Sequence, residues 1–111
     1  MEIHELQAEF FRALSSPVRI RILNALRDNN SCVCDLTKIL GETQPQVSRH
    51  LTALKTAGIL IAEKSGKRTC HRIKNKDVFK LMELSINLIR DKNEKILDAL
   101  EKGDEKHGKT A

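Results

Sequence analysis

Two cysteines separated by a single residue, Cys32 and Cys34, are the side chains of this chain best suited to chemistry. Two thiols within reach of one another suit soft, thiophilic ions such as As(III), Sb(III), Cd(II), Pb(II) or Zn(II). At the start of a helix we expect their pKa values to be lowered, which favours the thiolate that binds metals or reacts with oxidants. Three interpretations of this thiol pair are open: binding of a thiophilic ion, redox or persulfide sensing, and thiols that only pack.

The spacing of the thiol pair raises a geometric difficulty. Side chains two residues apart on a continuous α-helix point about 200° apart, so both sulfurs cannot hold one ion on an intact helix. We therefore expect ion binding to unwind the residues between Ser31 and Asp35 and to shift the helix that contains them. The third cysteine, Cys70, falls in a predicted strand and is interpreted as a half-buried strand residue and not as a ligand.

The basic residues are concentrated in one stretch of the chain. Residues 43–74 carry seven Lys or Arg side chains and one acidic side chain, whereas the whole chain of 111 residues has 20 basic and 15 acidic residues and a net charge of +5. All of the excess positive charge lies in this stretch, as expected of a surface that contacts phosphates. Only three aromatic residues occur, all Phe, which counts against single-stranded nucleic acid because it is bound by stacking on aromatic rings.

The same stretch begins with the signals of a helix start. Thr43 and Gln46 form a capping box, and Pro45 falls in the first turn, where a missing N–H costs nothing. Gly58 stands where a left-handed residue ends a helix. An apolar stripe predicted to pack on the core consists of Val47, Leu51 and Leu54.

The face opposite that stripe is polar, as expected of a helix that lies in a major groove. Gln and Arg side chains can make bidentate contacts with base edges, and Ser and Thr can reach a phosphate or a base. We predict a DNA-binding set on this helix and the basic turn after it, composed of Gln44, Gln46, Ser48, Arg49, His50, Thr52, Lys55, Lys67 and Arg68.

Two short strands follow the helix, at residues 59–64 and 69–73, around a basic turn that contains glycine at residues 65–68. A helix followed directly by a basic hairpin is the pattern of a winged helix-turn-helix. We call the hairpin the wing and the helix that begins after Thr43 the recognition helix.

Three helices are predicted before the recognition helix. The first covers residues 3–14, the second begins at Ser16-Pro17, and the third is a short helix closed by Gly41 and capped by Ser31 or Asp35. With a last helix after the wing, the predicted fold is mainly α with a small β-wing, a winged helix-turn-helix in the order ααααββα.

The last helix is predicted from Asn75 to about Lys102. At 1.5 Å per residue it would be on the order of 40 Å long, which is more than so small a core can cover. We therefore expect the first and last helices to form a homodimer through Leu6, Phe10, Leu88 and Ile96 or their neighbours. Residues 1–102 are predicted as one DNA-binding and dimerisation domain and residues 103–111 as a disordered tail.

The composition indicates a cytoplasmic protein with reduced thiols. No apolar run approaches the length of a membrane span, and the acidic N-terminus lacks the pattern of a signal peptide. Three cysteines, an odd number, do not suggest a disulfide framework. No catalytic triad or paired carboxylates are apparent, and we predict that the chain is not an enzyme. A metal-trafficking or protein-interaction module without DNA binding is the alternative from another class, and the concentrated basic charge argues against it.

Two motifs resemble the ArsR/SmtB family of small winged-helix repressors. One is the run TQPQVSRHLTALKTAGIL at residues 43–60, and the other is SCVCDL at residues 31–36, which is similar to the family's metal-binding box ELCVCDL. The resemblance covers about residues 5–100. It implies a homodimer that binds operator DNA and leaves it when an inducer is bound or a thiol pair is oxidised.

Two departures from the family pattern bear on the inducer. Thr37 stands where arsenic-responsive members with the box CVCDLC carry a third cysteine, and Asp77-Val78-Phe79 lacks the histidine of the family's zinc site on the last helix. We predict a homodimeric, sequence-specific DNA-binding repressor that is released by arsenite or antimonite bound at the thiol pair. Cd(II), Pb(II) and Zn(II) are further candidates, and no cofactor is required. A redox- or persulfide-sensing repressor of the same fold is the alternative within this class.

Overall fold

The computed structural model describes residues 1–29 and 31–106 of the chain. It is mainly helical with one small antiparallel sheet, as predicted. The elements in chain order are α1 (Ile3–Leu14), α2 (Pro17–Ala25), β1 (Ser31–Cys32), α3 (Val33–Leu40), α4 (Gln44–Thr56), β2 (Leu60–Ser65), β3 (Arg68–Ile73) and α5 (Asp77–Lys106). The strand β1 was not expected, so the observed order is ααβααββα and not ααααββα.

The strand β1 adds a third strand to the wing. The sheet order is β1-β3-β2, and β3 runs antiparallel to both neighbours. Cys70 on β3 is the partner of Cys32 on β1 and of Glu63 on β2. A strand of two residues carries no alternation that a sequence pattern can reveal. Because β1 pairs with β3, the chain just before α3 is hydrogen-bonded to the wing.

The predicted starts of α2 and α4 and the predicted ends of α3 and α4 are confirmed. The Ser16 side chain accepts a hydrogen bond from a backbone N–H of α2, and Thr43 and Gln46 form the capping box of α4. Gly41, with φ of 69°, and Gly58, with φ of 80°, adopt the left-handed conformation just after α3 and α4. These local signals fix the turn between α3 and α4.

The start of α3 differs from the prediction. Its N-cap residue is Cys32, in an extended conformation with φ of −94° and ψ of 168°, and no side chain forms a cap hydrogen bond there. The sequence had suggested Ser31 or Asp35 as the cap, and neither residue is the cap in the structure. The first cysteine of the thiol pair lies just outside the helix.

The core that positions these helices is formed by side chains of three helices: α2 with its C-cap residue, α3, and α4. The largest fully buried side chains are Ile22, Leu23, Leu26, Leu36, Val47 and Leu54. Burial of one such side chain contributes about 1.5–3 kcal/mol. The predicted stripe of Val47, Leu51 and Leu54 on α4 is therefore confirmed, and the opposite face of α4 is exposed to solvent.

The last helix, α5, is interrupted at Asn93, whose φ of −121° and ψ of 26° are not helical. Arg90 forms ion pairs with Asp98 at 3.7 Å and with Glu101 at 3.0 Å. On an uninterrupted helix, residues eleven positions apart are separated by about 16 Å along the axis, beyond the reach of these two side chains. The helix therefore changes direction at Asn93, and the prediction of a single long helix is wrong.

The last part of the chain forms a compact unit of its own. The chain separates into two compact units, Met1–Asn75 and a second that begins at Lys76. The assignment of residues 1–102 to one DNA-binding and dimerisation domain stays a prediction. The helix α5 extends to Lys106, so residues 103–106 of the expected tail are helical. Residues 107–111 lie outside the described residues.

Both α1 and α5 carry exposed apolar side chains. Leu6 on α1 is 51% exposed, and Leu88 and Ile96 on α5 are 81% and 59% exposed. Phe10 is partly buried. In the described part of the chain, none of the helices combines the length and the apolar character that a membrane crossing requires.

Candidate functional site

The two sulfurs of the thiol pair lie next to one another. Cys32 Sγ and Cys34 Sγ are 3.2 Å apart. Because Cys32 is the extended residue before α3 and Cys34 is the second residue inside it, the separation of about 200° between positions on a continuous helix does not apply. The expectation that α3 must unwind before both sulfurs face one ion is therefore wrong.

Two charged side chains complete this cluster. The Cys32 thiol donates a hydrogen bond to Asp35 Oδ2 at 3.1 Å. Arg68 Nη2 donates to Cys34 Sγ at 3.0 Å and also to Cys32 Sγ, and it lies 3.6 Å from Asp35 Oδ2. Arg68 belongs to the predicted DNA-binding set, whereas the structure brings it onto the thiols. Its participation depends on contact between distant segments, which sequence patterns do not report.

The surroundings give the two thiols different proton affinities. The hydrogen bond to Asp35 raises the pKa of Cys32, and the contact with Cys34 and burial raise it further. The hydrogen bond from Cys32, followed by that from Arg68, lowers the pKa of Cys34. Cys32 is buried and Cys34 is exposed. The outer sulfur, Cys34, therefore ionises more readily than the inner sulfur, Cys32, and the thiolate is the form that binds ions and attacks oxidants.

The donor atoms of this cluster fit a thiophilic ion. One ligand atom each from Cys32, Cys34 and Asp35 lies within 4.8 Å of the other two. Two thiolates and a carboxylate together suit ions such as Zn(II) and Cd(II), and the two sulfurs also suit As(III). Asp35 is a candidate ligand that the sequence analysis missed, because its place in the first turn suggested a helix cap.

Two other positions, Thr37 and Cys70, were considered for a third ligand, and neither belongs to the cluster of Cys32, Cys34 and Asp35. Thr37, at the position of the family's third cysteine, donates its hydroxyl to the Cys34 carbonyl at 2.7 Å and is thereby used by the helix backbone. Cys70 is the β3 partner of Cys32 and is partly buried, as predicted. It does not belong to the group of mutually close ligand atoms found among the described residues.

A pocket beside the sulfurs connects them to the recognition helix and the wing. Its volume is about 270 Å³, and its lining contains Cys32, Val33, Cys34, Gln44, Arg68 and Thr69. Gln44 is the first residue of the recognition helix α4, and Arg68 and Thr69 begin the wing strand β3. An occupant of this pocket therefore touches α3, the recognition helix and the wing together.

The recognition helix presents most of its predicted contact residues to solvent. Exposed residues of the predicted set are Gln44, Gln46, Arg49, Thr52, Lys55, Lys67 and Arg68, and Ser48 and His50 are partly buried. The Gln46 Oε1 atom accepts hydrogen bonds from the Thr43 backbone N–H and hydroxyl, so this side chain also serves the capping box. The exposed face is continuous with the pocket at Gln44.

His50 is held by the protein itself. Its Nδ1 accepts a hydrogen bond from Arg19 Nε at 3.0 Å, and Arg19 also donates to the Ala13 carbonyl at 3.3 Å. Burial, followed by the charge of Arg19, lowers the pKa of His50. The neutral imidazole thus ties the recognition helix to α2, a role that the sequence analysis did not foresee.

Comparison with known sequences assigns a family to this arrangement. A family model described as "Bacterial regulatory protein, arsR family" matches residues 16–62. The HTH-type transcriptional repressor SmtB of Mycobacterium tuberculosis is 43% identical over 72 residues, or 65% of this chain and 53% of SmtB. An uncharacterized HTH-type transcriptional regulator of Methanocaldococcus jannaschii is 40% identical over 87 residues, or 75% of this chain and 98% of that protein. The arsenical resistance operon repressor of Escherichia coli is 36% identical over 69 residues, or 61% of this chain and 59% of that repressor.

Solved structures share the fold. Rv0081 of M. tuberculosis superposes with a TM-score of 0.76 at 26% identity, over 87% of this chain and 98% of that chain. The homodimeric winged helix-turn-helix DNA-binding domain of a possible ArsR-family regulator from Mycobacterium bovis has a TM-score of 0.70 at 28% identity, over 80% and 82% of the two chains.

The fold is that of a winged helix-turn-helix protein. Within that class, the chain belongs to the ArsR family of bacterial regulatory proteins. It spans about half the length of SmtB. These relatives are named as transcriptional regulators or repressors, in agreement with the prediction that the chain is not an enzyme.

Proposed function

We propose that this chain is a DNA-binding transcriptional repressor that a thiophilic ion releases from its operator by binding to Cys32 and Cys34. The observation that carries the proposal is the pair of sulfurs 3.2 Å apart, in a pocket that extends to the first residue of the recognition helix. An ion bound there acts on the element that reads the DNA. Arsenite or antimonite is the leading inducer, and Cd(II), Pb(II) and Zn(II) are the other candidates.

The DNA-binding part of the proposal is supported by the surface of the recognition helix and the wing. Arg49 and Gln46 are exposed on the face opposite the buried stripe of α4 and have the side chains for bidentate contacts with base edges. Lys67 is exposed on the turn of the wing, where a basic side chain contacts phosphate. The net charge of +5 favours association with DNA.

The protein acts as a homodimer in this proposal. Exposed apolar side chains on α1 and α5 need a partner surface, and the similar M. bovis domain is homodimeric. A two-fold dimer places two recognition helices on two half-sites of an operator. Leu88→Glu introduces a charge at the most exposed apolar position of α5 and should give a monomer with weakened operator affinity. Analytical ultracentrifugation of wild-type protein that shows only monomer at micromolar concentration contradicts the dimer.

The choice of arsenite or antimonite is supported by the chemistry of the site and by one relative. Both ions prefer sulfur ligands, and two sulfurs are already adjacent at the start of α3. The E. coli relative is named for arsenical resistance. With Asp35 as the third close ligand, a site of two sulfurs and one oxygen also admits Zn(II) and Cd(II), so the comparison of ions is part of the test.

A redox-controlled repressor is the second candidate, and the same sulfur separation supports it. The Cys34 thiolate attacks hydrogen peroxide to give a sulfenic acid and hydroxide, and the Cys32 thiol then attacks that sulfur and expels water. The two thiols lose two electrons and the peroxide is reduced to water. The disulfide so formed joins α3 to β1 and changes the same pocket.

A DNA-release experiment decides between these candidates. The operator is first selected from random duplexes with the fully reduced protein, and its affinity is then measured by fluorescence anisotropy at several salt concentrations. We expect arsenite to weaken operator binding, whereas peroxide has this effect under the redox alternative. Protein that binds no duplex even at low salt contradicts DNA binding and favours the protein-interaction module.

A further inference from the structure

One side chain of the wing, Arg68, lies inside the candidate ion site. Its Nη2 atom donates to Cys34 Sγ at 3.0 Å, contacts Cys32 Sγ, and lies 3.6 Å from Asp35 Oδ2. These three partners are the residues whose ligand atoms lie within 4.8 Å of one another. A single nitrogen of the wing therefore touches every member of the ion site.

The register of the sheet explains why Arg68 reaches the thiol pair. Cys32 and Cys70 are directly opposed on β1 and β3, and opposed side chains of an antiparallel pair lie on the same face. Arg68 precedes Cys70 by two residues, so its side chain leaves the strand on that face as well. The backbone pairing thus aims Arg68 at the sulfurs, although the side chain is 58% exposed.

An ion and the guanidinium group compete for this position. Thiolate sulfurs hold Zn(II) at about 2.3 Å, and the ligand atoms are within 4.8 Å of one another, so a shared ion must lie among them, where Arg68 Nη2 now lies. A divalent ion such as Zn(II) or Cd(II) also repels the positively charged guanidinium group. Ion pairs as exposed as that of Arg68 with Asp35 contribute little, so a tightly bound ion displaces the guanidinium group easily.

We propose that Arg68 couples the ion site to the wing: its guanidinium group holds β3 against the thiol pair, and a thiophilic ion that takes the sulfurs releases it. This inference rests on the proposed function and names the residue that carries its signal. The pocket lining joins the thiols to Gln44 of the recognition helix and to Thr69 of the wing. Once Arg68 is released, the wing and the start of the recognition helix no longer keep a fixed arrangement, and operator binding weakens.

Lys67 provides a matched control for this role. It is the adjacent basic residue and is exposed on the turn of the wing, whereas Arg68 donates to both sulfurs. Removal of either charge weakens DNA binding through a lost phosphate contact. The loss of affinity alone therefore does not separate the two residues. The ratio of operator affinities without and with the ion does, because a phosphate contact affects both affinities equally.

The test compares wild-type protein with Arg68→Ala, Arg68→Lys and Lys67→Ala in the full chain. Operator affinity is measured with and without saturating arsenite, and arsenite binding is measured separately by the ultraviolet absorption of sulfur–arsenic bonds. In wild-type protein we expect arsenite to weaken operator binding by about 5–150-fold, the usual range for coupled sites. In Arg68→Ala, arsenite still binds and the ratio falls towards one. In Lys67→Ala the ratio keeps its wild-type value, and Arg68→Lys, which has lost the planar guanidinium fork, retains part of it.

Two results overturn different parts of the account. A wild-type ratio in Arg68→Ala overturns the coupling role and leaves Arg68 as a phosphate contact. A lack of sulfur–arsenic absorption in wild-type protein, together with no response to the other thiophilic ions, instead overturns the proposed function. If Arg68→Ala does not fold, NMR of wild-type protein with isotope-labelled arginine decides. The Arg68 side-chain resonance shifts on addition of arsenite if the guanidinium group is displaced, and an unchanged resonance overturns the proposal.

Discussion

The two helices of the helix-turn-helix unit begin in different ways. At the start of α4, the Thr43 hydroxyl accepts from the Gln46 backbone N–H at 3.4 Å, and Gln46 Oε1 accepts from the Thr43 N–H at 3.0 Å. At the start of α3, Cys32 occupies the cap position without a side-chain cap hydrogen bond. Its sulfur instead contacts the second thiol, a carboxylate and an arginine of the wing.

This difference separates two tasks within one short unit. A capping box satisfies two backbone donors reciprocally and fixes a helix start by local bonds, which suits a helix that must hold its contacts with DNA. The cap position of α3 is left to sulfur, whose partners come from the helix and from the wing strand β3. An ion can replace those contacts, which is what the proposed ion sensing requires of this helix start.

Removal of a sulfur from the start of α3 should give the largest effect. In Cys32→Ser and Cys34→Ser a thiophilic ion loses one of its two soft ligands, and we expect its affinity to fall by more than about 100-fold, beyond the usual effect of changing an outer-shell group. Operator affinity without the ion should change little, because a serine hydroxyl still accepts from Arg68. Operator release by arsenite is the measurement, with Cys70→Ser as the control that retains release. A Cys34→Ser protein that still leaves DNA on addition of arsenite contradicts the assignment.

A change on the exposed face of α4 should affect DNA and leave the thiols alone. Arg49→Ala should cost about 1–3 kcal/mol of binding free energy on the selected operator and should weaken random duplexes less. The ratio of affinities without and with arsenite should keep its wild-type value. Lys67→Ala should instead weaken both kinds of duplex and reduce the salt dependence. An equal loss on operator and random DNA in Arg49→Ala shows that this side chain does not contact bases.

The capping box itself is the third point of comparison. Thr43→Ala should lower the free energy of unfolding by about 1 kcal/mol, since a cap that binds backbone donors of the first turn is lost. Ser31→Ala, next to the cap position of α3, should cost clearly less because Ser31 is not the cap of α3. Urea denaturation measures both changes. Equal destabilisation by the two substitutions would mean that the two helix starts do not differ as described.

The smallest expected effect concerns pH. The hydrogen bond from Cys32 and the guanidinium of Arg68 lower the pKa of Cys34, so its thiolate persists at a pH where an ordinary thiol is protonated. Alkylation by iodoacetamide should therefore continue to lower pH for Cys34 and fade only as the pH falls through the lowered pKa. Arg68→Ala removes one of the causes and should move the profile to higher pH. Mass spectrometry of the alkylated peptides gives the profile, and a Cys34 midpoint at or above that of an ordinary thiol contradicts this electrostatic account.

Much of the fold could be predicted from signals between residues close in the sequence. The capping box at Thr43, the left-handed glycines Gly41 and Gly58 and the buried stripe of α4 are set by residues a few positions apart, and each has a distinct physical cause. The break at Asn93 was not predicted, because the sequence at Asn93 indicates a helix break no more strongly than an ordinary helical residue does. The ion pairs of Arg90 accompany the change of direction there, and they appear only in three dimensions.

The thiol site was predicted only in part. The identity of the pair follows from the sequence, but its geometry depends on β1, a strand too short to show a pattern. Because Cys32 belongs to that strand and not to the helix, the angle of about 200° between helical positions does not describe the thiol pair. The contact of Arg68 with Cys34 joins residues 34 positions apart, and no local pattern reports such a register.

The proposed function requires that Cys32 and Cys34 together bind one thiophilic ion at the start of α3. The most direct test is a titration of the fully reduced wild-type protein with arsenite, recorded by the ultraviolet absorption of sulfur–arsenic bonds, beside the same titration of Cys34→Ser. The account predicts a signal that saturates at one ion per chain in the wild type and is lost in the variant. If the wild-type protein shows no absorption from bonds between sulfur and the ion with arsenite, antimonite, Cd(II), Pb(II) or Zn(II), the proposed ion binding is contradicted.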